Sequence, residues 1–298
     1  MQKDRDAFFC EGVSPKIVRG TGRIFGAGKR GWNKGNVEDA RCAGSGTLVT
    51  VGSLYGILTA AHVLDNLPKK GQVGLVTHAD DPSRFQKQVI AMEHTDSVVM
   101  RGTTFDQKGP DLGFLRLPQE SVGWITAKNS FYNLNKHRAD VLAGNEPTQS
   151  HVDAVTGMIH ELTTEEPPGR PKVRRISFTA IFCGAHLAAL RYLTNYELHY
   201  FELTNDPGFA LPQSFGGTSG GSTWRFYVAE KDDEITVVDR RLVGVPFFQS
   251  LTYNGKREIT CHGPKGIYGS FIDAIAERWP KEALATSEMG ADWRRNFT

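Results

Sequence analysis

A serine set between glycines gives the sharpest chemical signal in the sequence, in Phe215-Gly216-Gly217-Thr218-Ser219-Gly220-Gly221-Ser222. Glycines let the backbone turn tightly and bring N–H groups close to a reacting carbonyl group. In such a turn Ser219 could attack a carbonyl carbon while the N–H groups of Gly217 and Ser219 stabilise the oxyanion that forms. Taken alone, the segment is equally explained as a flexible loop rich in glycine and serine.

Two other segments offer a base and an acid for this serine. An apolar run ends in small residues and a histidine in Gly56-Ile57-Leu58-Thr59-Ala60-Ala61-His62-Val63, and small residues leave space for an imidazole beside a nucleophile. Asp111 immediately precedes the apolar run 112–117. Each also has a structural explanation, since a lone histidine at a strand end is more often structural and an aspartate opening a strand is usually a turn residue.

Together, and in this chain order, the three segments resemble the motifs of the chymotrypsin-like (trypsin-fold) serine peptidases. That family carries Thr/Ser-Ala-Ala-His, then Asp-Ile-Ala-Leu-Leu-Lys/Arg-Leu, then Gly-x-Ser-Gly-Gly. The resemblance covers roughly residues 16–279 and points to an intracellular, disulfide-poor, bacterial-type member. It implies an all-β fold of two six-stranded antiparallel β-barrels packed side by side, with a C-terminal helix.

The resemblance also implies a catalytic role for each motif residue. His62 would take the proton of the Ser219 hydroxyl and later return it to the leaving amine. Asp111 would orient the imidazole and stabilise its charged form, and the N–H groups of Gly217 and Ser219 would form the oxyanion hole. The implied activity is that of a serine endopeptidase, a trypsin-like-fold protease that needs no metal and no cofactor.

Four residues are assigned to substrate binding by the same resemblance. Gln213 falls at the base of the first specificity pocket, and Phe247, Phe248 and Gln249 lie on the strand that pairs with the substrate backbone. Because Gln213 is uncharged, a buried Lys or Arg of the substrate would lack a counterion there. We therefore expect preference for small or medium uncharged residues, with Gln249 narrowing the pocket entrance.

Three positions depart from the secreted members of the family. Val63 and Phe215 stand where those members have half-cystines, and Thr218 stands where they have the aspartate that pairs with a newly cut N-terminus. We therefore expect activity without zymogen cleavage, with control by a regulatory protein partner as the alternative. The four cysteines are spread along the chain, which indicates reduced thiols; they are Cys10, Cys42, Cys183 and Cys261.

Composition excludes several classes of protein. The 298 residues are 39% hydrophobic and 23% charged, unlike collagen-like, coiled-coil or disordered chains. A formal charge of +2 argues against nucleic acid or an anionic membrane as the main partner. The start of the chain, residues 1–6, is charged and no apolar run of signal-peptide type follows it, so we expect a cytoplasmic protein that acts on protein or peptide substrates.

Short apolar and alternating runs between turn residues predict antiparallel strands in two units. We expect the first barrel over 16–118 with His62 and Asp111, the second over 150–269 with Ser219, and a boundary in the polar stretch between them. Only residues 270–280 look clearly helical, with Ser270 as the N-cap and Pro280 as the stop.

Two functions other than a peptidase remain open from the sequence. A serine esterase or other acyl-transfer enzyme can use the same three residues, and a catalytically inactive peptidase-fold module could serve in binding. An inactive module usually lacks one of the three residues, and none is lost here. Thiolate and imidazole ligands for zinc could in principle come from Cys183, His186, Cys261 and His262. We interpret these residues instead as buried cysteines and incidental histidines, and we predict no metal.

Overall fold

The computed structural model describes residues 7–11, 30–35, 41–78, 85–102, 109–127, 129–166, 173–204, 211–231, 234–250 and 256–283. The fold is mostly β with few helices, in agreement with the all-β expectation. The strands β1 to β15 are Ala7–Glu11, Arg30–Gly35, Arg41–Val51, Leu54–Thr59, Gln72–His78, Phe85–Ala91, Asp96–Arg101, Asp111–Arg116, Tyr132–Asn133, Ser150–Glu166, Val173–Tyr192, Glu197–Leu203, Ser222–Lys231, Glu234–Gln249 and Glu258–His262. The predicted first strand, 16–25, lies outside the described residues.

Six strands of the C-terminal half form a closed antiparallel barrel. They follow the order β10-β13-β14-β15-β12-β11, and pairing of β10 with β11 closes the ring. Closure joins the first strand of the ring to the last, and alternate side chains point inward to a buried core. That core includes Val155, Ile181, Phe201, Val243 and Ile259.

A second sheet holds the strands of the N-terminal half except β2, which pairs with β11 of the barrel. The order of this second sheet is β6-β5-β1-β3-β4-β8-β7, and β9 pairs with β3. Pairing is antiparallel from β3 through β4 and β8 to β7, whereas β1 runs parallel to both β3 and β5. The structure thus gives one closed barrel and a second sheet, which is a coarser result than the two barrels implied by the resemblance.

Helices are few and short: α1 to α5 are Ala61–Asp65, Gln119–Thr126, Leu134–Ala143, Ile272–Arg278 and Pro280–Ala283. Two of them, α2 and α3, lie in the stretch between the two units, where the sequence reading expected no helix. The side chain of Asn133 accepts hydrogen bonds at the start of α3, and Gly144 ends it at φ 71°. In the sequence, this pair of N-cap and C-cap residues indicates where the helix begins and ends.

The C-terminal helix is present, but it begins differently from the expectation. A wide helical turn over Lys265–Phe271 leads directly into α4, and the hydroxyl of Ser270 donates to the carbonyl of Asn195 instead of capping the helix. Pro280 follows the end of α4 as expected and opens α5. Ile275 and Phe271 are fully buried in a core that includes side chains of both sheets, Phe114 and Trp224 among them.

Within the described part of the chain, no helix is both long enough and apolar enough to cross a membrane.

Candidate active site

His62 and Asp111 meet where strand β4 ends and its paired strand β8 begins. β4 pairs with β8 up to Thr59 opposite Gly113, so α1 after β4 lies beside the first residue of β8. The Asp111 carboxylate accepts the backbone N–H of His62 at 2.8 Å and contacts its Nδ1 at 2.5 Å. The carboxylate therefore fixes both the backbone and the ring of His62.

The environment keeps Asp111 ionised. Asp111 is 3% exposed, and burial by itself would raise the pKa of its carboxyl group. The hydrogen bonds and charge of His62 outweigh burial, so the pKa of Asp111 lies below its ordinary value. An anion held in this way can orient an imidazole and stabilise the imidazolium.

His262 is a neighbour of this pair that sequence reasoning did not place at the site. Its Nε2 accepts the backbone N–H of Asp111 at 2.8 Å, which puts the ring proton on Nδ1. The ring is fully buried and stacked on Phe247, with centroids 4.3 Å apart. Burial lowers the pKa of His262 to about 3, so the ring is neutral.

Ser219 lies on a segment that packs against the one carrying His62. The N–H of Ser45 donates to the carbonyl oxygen of Ser219 at 3.0 Å. Gly220 has φ 82°, and a Cβ on it would lie 2.8 Å from the backbone nitrogen of Ala60, two residues before His62. Only glycine permits this close approach. The structure thus brings His62, Asp111 and the half-buried Ser219 into one region.

Every carbonyl oxygen of the loop 215–219 has a hydrogen-bond donor. The turn itself supplies three of these bonds, and strands β3 and β10 supply the other three. The donors, in order from residue 215 to residue 219, are Thr218 N and Oγ1, His160 N, Ser45 Oγ, Gly221 N and Ser45 N. The orientation of each peptide plane in the loop is therefore fixed.

The N–H groups of the same loop show a different distribution. Five of them donate to acceptors, those of Phe215, Gly216, Thr218, Gly220 and Gly221. Within the described residues, the N–H groups of Gly217 and Ser219 have no acceptor. These are the two groups that the sequence predicts as oxyanion donors. Gly217 has φ 96°, and a Cβ on it would lie 2.8 Å from the His160 ring, so a larger residue would disturb this turn.

Two of the predicted specificity residues, Gln213 and Gln249, belong to one hydrogen-bonded cluster. Gln249 accepts the N–H of Phe215 at 2.8 Å and donates to the carbonyl of Gln213 at 3.1 Å. The carboxylate of Glu161 accepts the N–H groups of Ser214 and Gln213, and these bonds hold the pKa of Glu161 below its ordinary value. The Gln213 side chain is exposed, so its place at a pocket base stays a prediction. Sequence reasoning did not identify Glu161.

The strand β14 ends with an edge that no described strand covers. Its pairing with β13 extends only as far as Gly244, whereas its other side pairs with β15 up to Gln249. Phe247 is buried against His262, and Phe248 is partly buried. An extended peptide could add to this edge as a further strand.

No cluster of three or more His, Cys, Asp or Glu side chains within the described residues could hold a metal ion. A scan against protein-family models and a search of curated proteins found no match to this chain. The functional assignment consequently rests on the geometry of the site and on the motif resemblance.

Proposed function

We propose that the protein is a serine endopeptidase that hydrolyses peptide bonds through Ser219, His62 and Asp111. One observation carries the proposal. In the loop 215–221, the only two N–H groups that find no acceptor among the described residues are those of Gly217 and Ser219, which the motif resemblance assigns to the oxyanion hole. An unbonded pair of this kind is what stabilisation of a tetrahedral intermediate needs.

Acylation begins when Ser219 Oγ bonds to the carbonyl carbon of the substrate. Since Nδ1 of His62 is held by Asp111, we assign the hydroxyl proton to Nε2. The carbonyl oxygen becomes negative and accepts hydrogen bonds from Gly217 and Ser219. The C–N bond then breaks, His62 gives its proton to the amine nitrogen, and an acyl-enzyme remains on Ser219.

Deacylation uses water as the second substrate. His62 takes a proton from water as the water oxygen bonds to the acyl carbon. The bond from that carbon to Ser219 Oγ breaks, and His62 returns the proton to the serine. The peptide leaves as a carboxylic acid, and the enzyme is restored.

We also propose the finer architecture that this function implies. The second sheet would close as a second six-stranded barrel, so that units 16–118 and 150–269 each contribute to the site and helix 270–280 packs on them. Support comes from the origin of the site residues. Asp111 belongs to the second sheet, His62 lies on α1 directly after strand β4 of that sheet, and Ser219 precedes the barrel strand β13. The free, buried thiols of Cys183 and Cys261 suit a reducing compartment, and we propose a cytoplasmic location.

The substrate class follows from the cluster around Gln249. Its side chain spans from β14 to the backbone of Phe215 and Gln213, which leaves little depth for a substrate side chain. Gln213 offers no charge to a cation. We therefore propose cleavage after small uncharged residues, with the substrate backbone paired to the edge of β14.

The proposal is tested with a peptide library, a matched panel of esters, and the full chain beside its Ser219→Ala variant. We expect peptide cleavage that disappears in the variant, detected by mass spectrometry of the products. Turnover of esters without peptides would indicate an esterase. No turnover of either, with no labelling of Ser219 by a fluorophosphonate, would indicate a binding module and overturn the proposal.

A further inference from the structure

We propose that Ser45 is a positioning residue that holds Gly217 and Ser219 in their reactive arrangement. This inference rests on the proposed peptidase function and adds a residue that the motif resemblance does not assign. Ser45 lies on β3, far from Ser219 in sequence, and its side chain is fully buried. No charged group takes part in the hydrogen bonds of Ser45.

Four hydrogen bonds of Ser45 connect β10, the loop that carries Ser219, and the end of β4. The Ser45 hydroxyl accepts the N–H of Met158 at 2.8 Å and donates to the carbonyl of Gly217 at 2.7 Å. Its backbone N–H donates to the carbonyl of Ser219 at 3.0 Å. Its own carbonyl accepts the hydroxyl of Thr59, the last residue of β4 before the His62 segment, at 2.8 Å.

The direction of the hydroxyl bond is determined by its partners. The N–H of Met158 can only donate, so the Ser45 oxygen accepts there and its single proton goes to Gly217. A residue without a hydroxyl would remove the donor that holds the Gly217 carbonyl and an acceptor of the Met158 N–H. Loss of the donor to a buried carbonyl is unfavourable, which favours rearrangement of the loop over its native form.

The bonds also determine where the oxyanion donors point. In a trans peptide, the C=O and N–H groups lie on opposite sides. His160 N–H holds the carbonyl of Gly216, so the N–H of Gly217 points away from β10. Ser45 holds the next carbonyl, that of Gly217, and so prevents the turn from rotating at the glycine whose conformational freedom is greatest.

This arrangement gives the loop an internal support in place of an ion pair. Thr218 carries no charge, and its hydroxyl donates to the carbonyl of Phe215 at 2.5 Å. Buried hydrogen bonds from β3 and β10 therefore hold the loop that carries the nucleophile. Ser45 therefore orders this loop as the chain folds, and the loop needs no separate ordering event.

The test compares Ser45→Ala with Thr47→Val in the full chain. Thr47 is a matched control because it lies two residues away on the same strand, is 4% exposed, and has a hydroxyl with no partner among the described residues. Ser45→Cys is a second variant that keeps the volume of the side chain and weakens its hydrogen bonds. Each variant is measured for kcat and KM on a cleaved peptide, and for amide hydrogen exchange in residues 211–221.

We expect Ser45→Ala to lower kcat by about 10–100-fold, less than removal of a direct oxyanion donor, with KM unchanged. Ser45→Cys should fall between it and the wild type, and Thr47→Val should match the wild type. Exchange in residues 211–221 should accelerate in Ser45→Ala alone. A structural role only would lower the amount of folded enzyme and leave the kcat of the folded fraction intact.

Two results would overturn the inference. The first is a wild-type kcat in correctly folded Ser45→Ala or Ser45→Cys, while Ser219→Ala is inactive; the proposed function would then stand and the role of Ser45 would fall. The second is unchanged hydrogen exchange of residues 211–221 in both Ser45 variants. Failure of the proposed function itself is distinguishable, because the wild-type chain would then be inactive and the exchange result would still decide the role of Ser45.

Discussion

The side-chain oxygen of Gln249 accepts the backbone N–H of Phe215 at 2.8 Å. The same side chain donates to the carbonyl of Gln213 at 3.1 Å, so one amide connects the end of β14 to the loop before Ser219. A long side chain held at both of its polar atoms has little freedom to move aside for a substrate. If the proposed peptidase activity holds, the contact predicts which residue is accepted before the cleaved bond.

Replacing Gln249 with glycine should widen specificity. The wild type should cleave a peptide library after small uncharged residues, and Gln249→Gly should raise kcat/KM for large apolar residues by about 10-fold or more. Ser250→Ala is the matched control, since the Ser250 hydroxyl donates to Glu258 instead. Efficient wild-type cleavage after Arg or Lys would contradict the place given to Gln213, and preference for Trp or Phe would contradict that given to Gln249.

The catalytic residues should behave as one unit. Ser219→Ala and His62→Ala should each lower kcat by about 10⁴-fold or more, and the double variant should lose little more than either. The reason is that proton transfer to His62 contributes nothing without the Ser219 nucleophile, and Ser219 is a weak nucleophile without proton transfer to His62. His94→Ala provides a control at an exposed histidine in the turn 92–94. Additive losses in the double variant would show that the two side chains act separately.

Asp111→Asn should lower kcat by about 10⁴-fold while leaving the fold intact. The carboxylate accepts from both the backbone N–H and Nδ1 of His62, and an amide has only one acceptor oxygen for these two donors. Steady-state kinetics with circular dichroism as the folding check measures the effect. A variant with nearly wild-type kcat would mean that Asp111 does not orient His62 during turnover.

The buried His262 should make the protein less stable in acid. Its pKa is lowered from 6.5 to about 3 by burial, so between these values the unfolded chain binds a proton that the folded chain does not. Stability is thus full above pH 6.5 and falls as the pH drops towards 3, by about 1.4 kcal/mol for each pH unit. In His262→Gln the amide oxygen can accept the Asp111 N–H without titrating.

Urea unfolding of both proteins between pH 7 and pH 4 isolates this contribution, because other titrating groups cancel in the difference. The wild type should lose more stability than His262→Gln as the pH falls. Parallel curves for the two proteins would show that His262 is not held neutral in the fold.

Local sequence patterns allowed the prediction of the pieces that depend on neighbouring residues. The apolar runs 55–63 and 112–117 indicated strands. The structure ends the first strand at Thr59, places His62 on the short helix α1 instead, and pairs the two strands so that His62 and Asp111 meet. The glycines around Ser219 indicated a tight turn, and Gly217 and Gly220 have the positive φ angles that such a turn requires. These features are encoded within a few residues of the site.

Contacts across long sequence separations were beyond the reach of these patterns. Ser45 meets Gly217 across 172 positions, and His262 meets Asp111 across 151. A serine in a strand and a histidine after a cysteine carry no local signal for such partners. The helices α2 and α3 were missed for another reason: their polar faces resemble loop composition, and only the cap residues Asn133 and Gly144 distinguish α3 from a loop.

Labelling with a fluorophosphonate tests the central claim most directly. The full chain is incubated with the probe, digested, and mapped by mass spectrometry, with Ser219→Ala and His62→Ala treated in parallel. Activation of Ser219 by His62 predicts one adduct on Ser219 at a rate far above that of other serines, no adduct at that position in Ser219→Ala, and strongly slowed labelling in His62→Ala. An unlabelled Ser219 in the folded wild-type chain, or equal labelling of wild type and His62→Ala, would contradict the account.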